Sequence, residues 1–453
     1  MVTLRNQAPD PASEAGASVL LRSRIGSMMH LFSGSMSVAV LMALSTIVAA
    51  RALGPEAYGV LALVLTIGRI CERLIRFESW QPLIRFASQP GIQDDAGMMG
   101  RLFLLGLLLD FGCAMLAALV LLTAGYFVMP LVGLDQSQFY LLAIFAPAIA
   151  LNIRGVPTAA MRLAGQFKRL AYFQLFSAAL RLAMAGAAWM LGAPLPVFLA
   201  IWTIAQVIDT IVFGILAARA LDTLGVANPL RAGWRGILRQ FPGFMGFAWS
   251  TNASSTLRTL TQEADTLLVG SLTGPVGAGY YHIAKRFAKV AQQVGQHVQA
   301  VIYPDLSRMW AQRNFGTVRA VKGKVQLALG AISLVMIAIV WAIGKPAVEW
   351  VFGAEFSLVY PLLLTQLVAV ALIMLAAPSR SAMLAMNRPG PVLVIAVLAT
   401  VTFFLTAYAL IPRVGVIGAN YAHIAFAALT CVFLEIGFRI AYASPETQEA
   451  AAL

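Results

Sequence analysis

Apolar runs of twenty residues and more follow one another along almost the whole chain, with Gly, Pro and charged residues as the only punctuation. A helix needs about 20 mostly apolar residues to cross a bilayer. A transmembrane barrel strand is about half that length and alternates in polarity, which these runs do not. Only 11% of the 453 residues are charged and 60% are hydrophobic, against about 25% charged in a soluble domain. The sequence therefore predicts an all-α integral membrane protein, with lipid as its solvent.

Twelve spans are expected, near 25–50, 56–86, 99–130, 137–163, 169–191, 196–220, 241–272, 277–307, 320–343, 356–386, 391–411 and 414–440. They divide into two six-helix bundles, 25–220 and 241–440. A polar linker, 221–240, joins the bundles, and tails lie at 1–24 and 441–453. The first apolar stretch is too long for a signal-peptide core and is read as a retained helix. Of the 32 Lys and Arg, 21 fall on the side of the tails and linker. Three (Arg51, Lys345, Arg413) fall on the opposite side, and eight lie within spans. By the positive-inside rule both termini and the linker are cytoplasmic. The net charge of +13 is thus read as membrane orientation and attraction to anionic headgroups, not as nucleic-acid binding.

The halves echo each other at an offset of 220. Gly54-Pro55 answers Gly274-Pro275, Gly59 answers Gly279, Gly133 answers Gly353, and Tyr140 answers Tyr360. At an offset of 222, Ala160-Met161 answers Ala382-Met383. A unit of six helices returns to its starting side, so the repeats are parallel and enclose a cavity at their pseudo-twofold axis.

Charge inside a bilayer costs roughly 2.5–3.5 kcal/mol per group on insertion scales and usually faces a cavity or a partner. In the second expected helix Arg69, Glu72, Arg73 and Arg76 are spaced i, i+3, i+4, i+7 and share one face. Arg69 lies about 16 Å along the helix from Tyr58, near the midplane. The eighth repeats the theme with His282, Lys285, Arg286, Lys289, Gln293 and Gln296, and Arg69 and Lys289 are equivalent at offset 220. The expected result is a net-positive cavity that attracts a phosphate or pyrophosphate. Two plainer readings stand beside it: loop positions for these charges, or structural pairing of Arg73 with Glu72 or Glu78. The seventh helix adds Arg258, Glu263 and Asp265. A carboxylate there could bind a coupling proton or cation, or pair with Lys285 or Arg286. Arg181, alone in the fifth helix, reads as a packing or snorkelling residue.

Cys71, Cys113 and Cys431 all sit in apolar segments and are read as buried thiols. No metal-ligand spacing, phosphate-binding loop or nucleophile elbow is present in the sequence, so no cofactor, metal or catalytic residue is expected. Transport would then draw on an ion gradient or on substrate flow.

Arg51-Ala-Leu-Gly-Pro-Glu-Ala-Tyr-Gly59 resembles the signature of polysaccharide exporters in the multidrug/oligosaccharidyl-lipid/polysaccharide (MOP) superfamily, and Ala264-Asp-Thr-Leu-Leu-Val-Gly270 with Gly279-Tyr-Tyr281 resembles its second-half counterpart. The resemblance spans nearly the whole chain. It implies a Wzx-type flippase that moves undecaprenyl-pyrophosphate-linked oligosaccharide across the bacterial inner membrane, for O-antigen or exopolysaccharide assembly. Its partners would be the lipid-linked sugar, membrane lipids, a polysaccharide polymerase and glycosyltransferases. Arg69, Arg73, Lys285 and Lys289 are the candidates for the pyrophosphate, with Arg76 and Arg286 beside them. Glu72, Arg258, Glu263, Asp265 and His282 are the remaining polar groups of the cavity. Rival readings are a drug/cation antiporter of the same superfamily, a peptidoglycan-precursor flippase, a membrane polymerase or ligase, and a non-transporting scaffold. A basic cavity argues against the first, a chain ending after about twelve helices against the second, short outer loops against the third, and a duplicated cationic stripe against the fourth.

Overall fold

The computed structural model of the protein describes residues 11–77, 79–226 and 228–443, and within these the side chains other than those of 11–35, 250–251, 253–262, 294, 297, 300 and 301. Every regular element among them is helical. The first half holds α1 (Pro11–Ile75), α2 (Trp80–Ala87), α3 (Ala96–Leu131), α4 (Phe139–Ala150), α5 (Gly155–Leu163), α6 (Phe167–Met190) and α7 (Leu195–Thr223). After α8 (Ile237–Gln240) come α9 (Phe244–Ala311), α10 (Phe315–Phe352), α11 (Val359–Ala385), α12 (Pro389–Val414) and α13 (Ile417–Tyr442). Among the described residues, nine helices are long and apolar enough to cross a membrane.

The repeated Gly-Pro pairs break the two longest helices in the same way. Gly54 has φ 73° and ψ 174°, and Gly274 has φ 75° and ψ −177°. Only glycine adopts this region without strain. The proline that follows lacks an N–H and begins a new helical arm at little cost. Each long helix is thus two arms joined at one corner.

Three expected boundaries shift. Helix α1 already begins at Pro11, so part of the polar segment assigned to a tail is helical. The span expected over 56–86 ends at Ile75 and resumes as α2, and the one over 137–163 breaks between α4 and α5. That second break has a visible cause. Asp110, buried in α3, accepts from Ser79 Oγ at 2.5 Å and from the Val156 N–H at 2.9 Å. It caps the first turn of α5 from a neighbouring helix. A Cβ on Gly155 would run into Ser79 and Asp110.

Within the first half α1 packs on α3 and α6, and α4 packs on α3 and α7; within the second, α11 packs on α9, α10 and α13. The halves meet along α1 and α9. At the Gly-Pro end their second arms cross in backbone contact. A Cβ on Gly279 would lie 3.0 Å from Gly59 Cα and 3.0 Å from the Pro55 carbonyl oxygen, and one on Gly59 would clash with the Pro275 carbonyl. Buried Leu61, Val64, Ile67, Ala278, Ile283 and Ala284 continue the seam as one apolar cluster.

Candidate functional site

Below that seam the apolar contact between α1 and α9 gives way to charge. Arg69 lies fifteen residues after Gly54, and Lys289 fifteen after Gly274, so both stand at the same depth in their arms. Both reach one carboxylate, Glu263, on the first arm of α9. Arg69 Nε donates to Glu263 Oε2 at 3.2 Å, and Lys289 Nζ donates to Oε1 at 3.5 Å. Arg69 Nη2 also donates to Thr66 Oγ1 at 2.9 Å. The two cations remain open to solvent, with side-chain exposures of 33% and 45%, whereas Glu263 is at 13%.

Arg286 lies within electrostatic reach of Arg69, Glu263 and Tyr58 and makes no hydrogen bond or ion pair among the described residues. Three cations against one carboxylate leave a local charge of +2. Gln293, one turn beyond Lys289, has a buried Oε1 without a hydrogen-bond partner among the described residues. His282 closes the site towards the Gly-Pro end, where its Nδ1 and the Tyr58 hydroxyl are 2.8 Å apart.

Other expected cavity residues have separate surroundings. Glu263 and Asp265 are two residues apart on a helix and therefore face opposite ways. Asp265 is 1% exposed and turns into the second half. It accepts from Lys285 Nζ at 2.5 Å and from the Tyr281 hydroxyl at 2.8 Å, with His423 Nε2 3.0 Å away. Lys285, at 8% exposure, is therefore the buried ion-pair partner of Asp265, and it also lies within electrostatic reach of Glu263. Of the two partners the sequence left open for Asp265, the structure has Lys285.

Arg76, just past the end of α1, pairs with Glu72 of that helix, which also accepts from Asn152 Nδ2 at 2.6 Å. Asn152 Oδ1 accepts from Arg154 Nε at 2.8 Å and from Gln206 Nε2 at 3.2 Å, and Arg154 pairs with Asp209. Gln206 Oε1 in turn accepts from Arg181 Nη2 at 3.2 Å. Arg181 is thus a member of a polar network inside the first half, which corrects its reading as a packing or snorkelling residue. Arg154, expected at a helix end on the cytoplasmic side, belongs to the same network. Arg73 is half-buried on the shared face. The side chain of Arg258 and all of Glu78 lie outside the described residues.

Sequence reasoning missed Tyr58, Asn152, Gln206, Asp209, Tyr281 and His423 as members of these groups. The available signal was a lone polar residue within an apolar run, as at Asn152 and Asp209.

Comparison with known proteins adds four likenesses. The family model described as "Polysaccharide biosynthesis protein" matches residues 48–361. "Inner membrane protein YghQ" of Escherichia coli (strain K12) is 24% identical over 346 residues, which is 76% of this chain and 96% of that protein. Among solved structures, the inward-facing conformation of a multidrug resistance MATE family transporter of the MOP superfamily aligns with a TM-score of 0.71 at 15% identity, covering 94% of this chain and 99% of that one. The lipid II flippase MurJ, in an inward closed conformation, aligns with a TM-score of 0.67 at 12% identity, over 93% of this chain and 90% of that one. At such identities the two structures share the fold.

Proposed function

Because the chain belongs to the polysaccharide biosynthesis protein family, we propose that it is a flippase for a lipid-linked oligosaccharide whose lipid carrier bears a pyrophosphate, such as undecaprenyl pyrophosphate. The observation that carries this reading is the convergence of Arg69 and Lys289, one from each half, on the single carboxylate of Glu263, with Arg286 beside them. Glu263 holds the two cations together. A pyrophosphate has more negative charge and more acceptor oxygens than one carboxylate, so it displaces Glu263 from at least one cation and gains charge-assisted hydrogen bonds. Because Glu263 contacts both halves, its release weakens a link between them, and binding is coupled to the change of access.

In this reading the two six-helix bundles rock about the α1–α9 seam, and the termini and the Lys/Arg-rich helix ends are cytoplasmic. The site takes up the carrier head from the cytoplasmic side and releases it to the other leaflet once the Gly59–Gly279 crossing opens. No bond of the substrate is made or broken. The chain works between the glycosyltransferases that build the sugar unit and the polymerase that joins such units. Net positive charge at the site disfavours a drug/cation antiporter.

Reconstitution into vesicles tests the proposal. A fluorescent polyprenyl-diphosphate oligosaccharide should cross between leaflets faster with the protein than in protein-free vesicles. Equal rates would refute the flippase reading, and accelerated movement of a cationic dye alone would favour the antiporter.

A further inference from the structure

At the Lys/Arg-rich end of the second half, α10 and α13 flank α11 and leave a cleft of about 500 Å³ between them. Its walls are Arg319, Lys322 and Gln326 of α10 and Glu435, Arg439 and Tyr442 of α13. The spacings i, i+3, i+7 and i, i+4, i+7 turn each set towards the other helix. None of these residues belongs to the Arg69–Glu263–Lys289 group.

Lys322 is 4% exposed and pairs with Glu435. Glu435 also accepts from Ser379 Oγ at 2.8 Å and from Arg439 Nε at 3.1 Å, so its acceptor capacity is largely used. Arg319 makes no ion pair among the described residues, and its guanidinium lies 5.8 Å from the centre of the Tyr442 ring. Three cations against one carboxylate leave a charge of +2 around a space of ordinary ligand size. Leu327, Ile436 and Ile440, next to the cleft in sequence, are exposed at 76%, 46% and 66%. The cleft therefore lies at helix ends between faces suited to hydrocarbon, where a lipid headgroup reaches it without leaving the bilayer.

We propose that this cleft binds the phosphate headgroup of an anionic phospholipid. Arg319 and Arg439 hold the phosphate from opposite walls. The ring of Tyr442 carries the Arg319 guanidinium, and Lys322 keeps Glu435 neutralised so that it does not repel the ligand. The bound lipid bridges α10 and α13 and ties the outer face of the second half to one leaflet.

The test is thermal melting of the purified, delipidated full-length protein during titration with phosphatidylglycerol. Phosphatidylglycerol should raise the Tm, and added salt should shrink the rise. Arg319→Gln and Arg439→Gln should each weaken the apparent affinity about fivefold, while Arg413→Gln at the opposite helix end should not. Full protection of the Arg319→Gln/Arg439→Gln double variant would overturn the proposal. So would protection of the wild type that is indifferent to salt, or matched by phosphatidylcholine. Equal protection by inorganic phosphate at the same concentration would overturn it in favour of a soluble anion.

Discussion

Arg69 and Lys289 stand at equivalent positions of the two halves, 220 residues apart, and donate to the two oxygens of one carboxylate, Glu263, at 3.2 and 3.5 Å. Across the seam between α1 and α9 the cations are held together by a group that a stronger anion can replace. Removing that group alone should separate holding from binding. Glu263→Gln keeps the shape and loses the charge, so the site should bind pyrophosphate more tightly and release it more slowly. The expected outcome is lower turnover with a lower apparent KM for the lipid-linked substrate in reconstituted vesicles. An unchanged KM would show that Glu263 does not compete with the substrate.

The buried pair in the second half makes a different prediction. Asp265 and Lys285 are both nearly inaccessible, and loss of one partner strands the other. Asp265→Ala should destabilise the protein by about 3–5 kcal/mol, and Asp265→Ala with Lys285→Met should recover most of the loss. Melting curves of the two variants measure this. If the stable double variant still transports at the wild-type rate, Asp265 has no part in ion coupling.

The glycine crossing can be probed by adding one carbon. Gly59→Ala places a methyl against the Pro275 carbonyl and should cost about 1–3 kcal/mol through overpacking. Gly186→Ala, where a Cβ meets nothing within 4 Å, should be neutral or stabilising by up to about 1 kcal/mol. Equal melting temperatures for the two variants would mean that the second arms do not touch at Gly59.

Rocking requires that crossing to part. With Cys71, Cys113 and Cys431 removed, cysteines at Glu56 and Val276, both exposed beside the crossing, should crosslink. The crosslink should stop transport, and reduction should restore it. A pair that crosslinks fully without loss of transport would end the rocking account.

Much of this arrangement is legible in the sequence because charge and Gly-Pro pairs are conspicuous in apolar runs. The helical period puts Arg69, Glu72, Arg73 and Arg76 on one face, and the offset of 220 places Lys289 opposite Arg69. The same reasoning cannot supply partners. Glu263 is 26 residues from Lys289 and 194 from Arg69, and only the Gly274 corner and the packing of α9 on α1 bring them together. The Glu72–Asn152–Gln206–Arg181 network joins α1, α6 and α7 to the connection between α4 and α5 through polar residues far apart in sequence. The stripe of the eighth span also divides. Lys285 pairs with Asp265 and His282 meets Tyr58, while Lys289 reaches Glu263 with Arg286 nearby. Helix period gives direction, and which neighbour a side chain meets is decided by tertiary packing.

The most direct test of the anion site is flipping by Arg69→Ala and Lys289→Ala in vesicles, beside Arg219→Ala, which stands in the last two turns of α7. At matched protein amounts, removing either cation should reduce transport of a polyprenyl-diphosphate oligosaccharide by at least about tenfold, since a charge-assisted hydrogen bond contributes about 1.5–3 kcal/mol. Arg219→Ala should transport normally. Wild-type rates in both Arg69→Ala and Lys289→Ala would contradict the account.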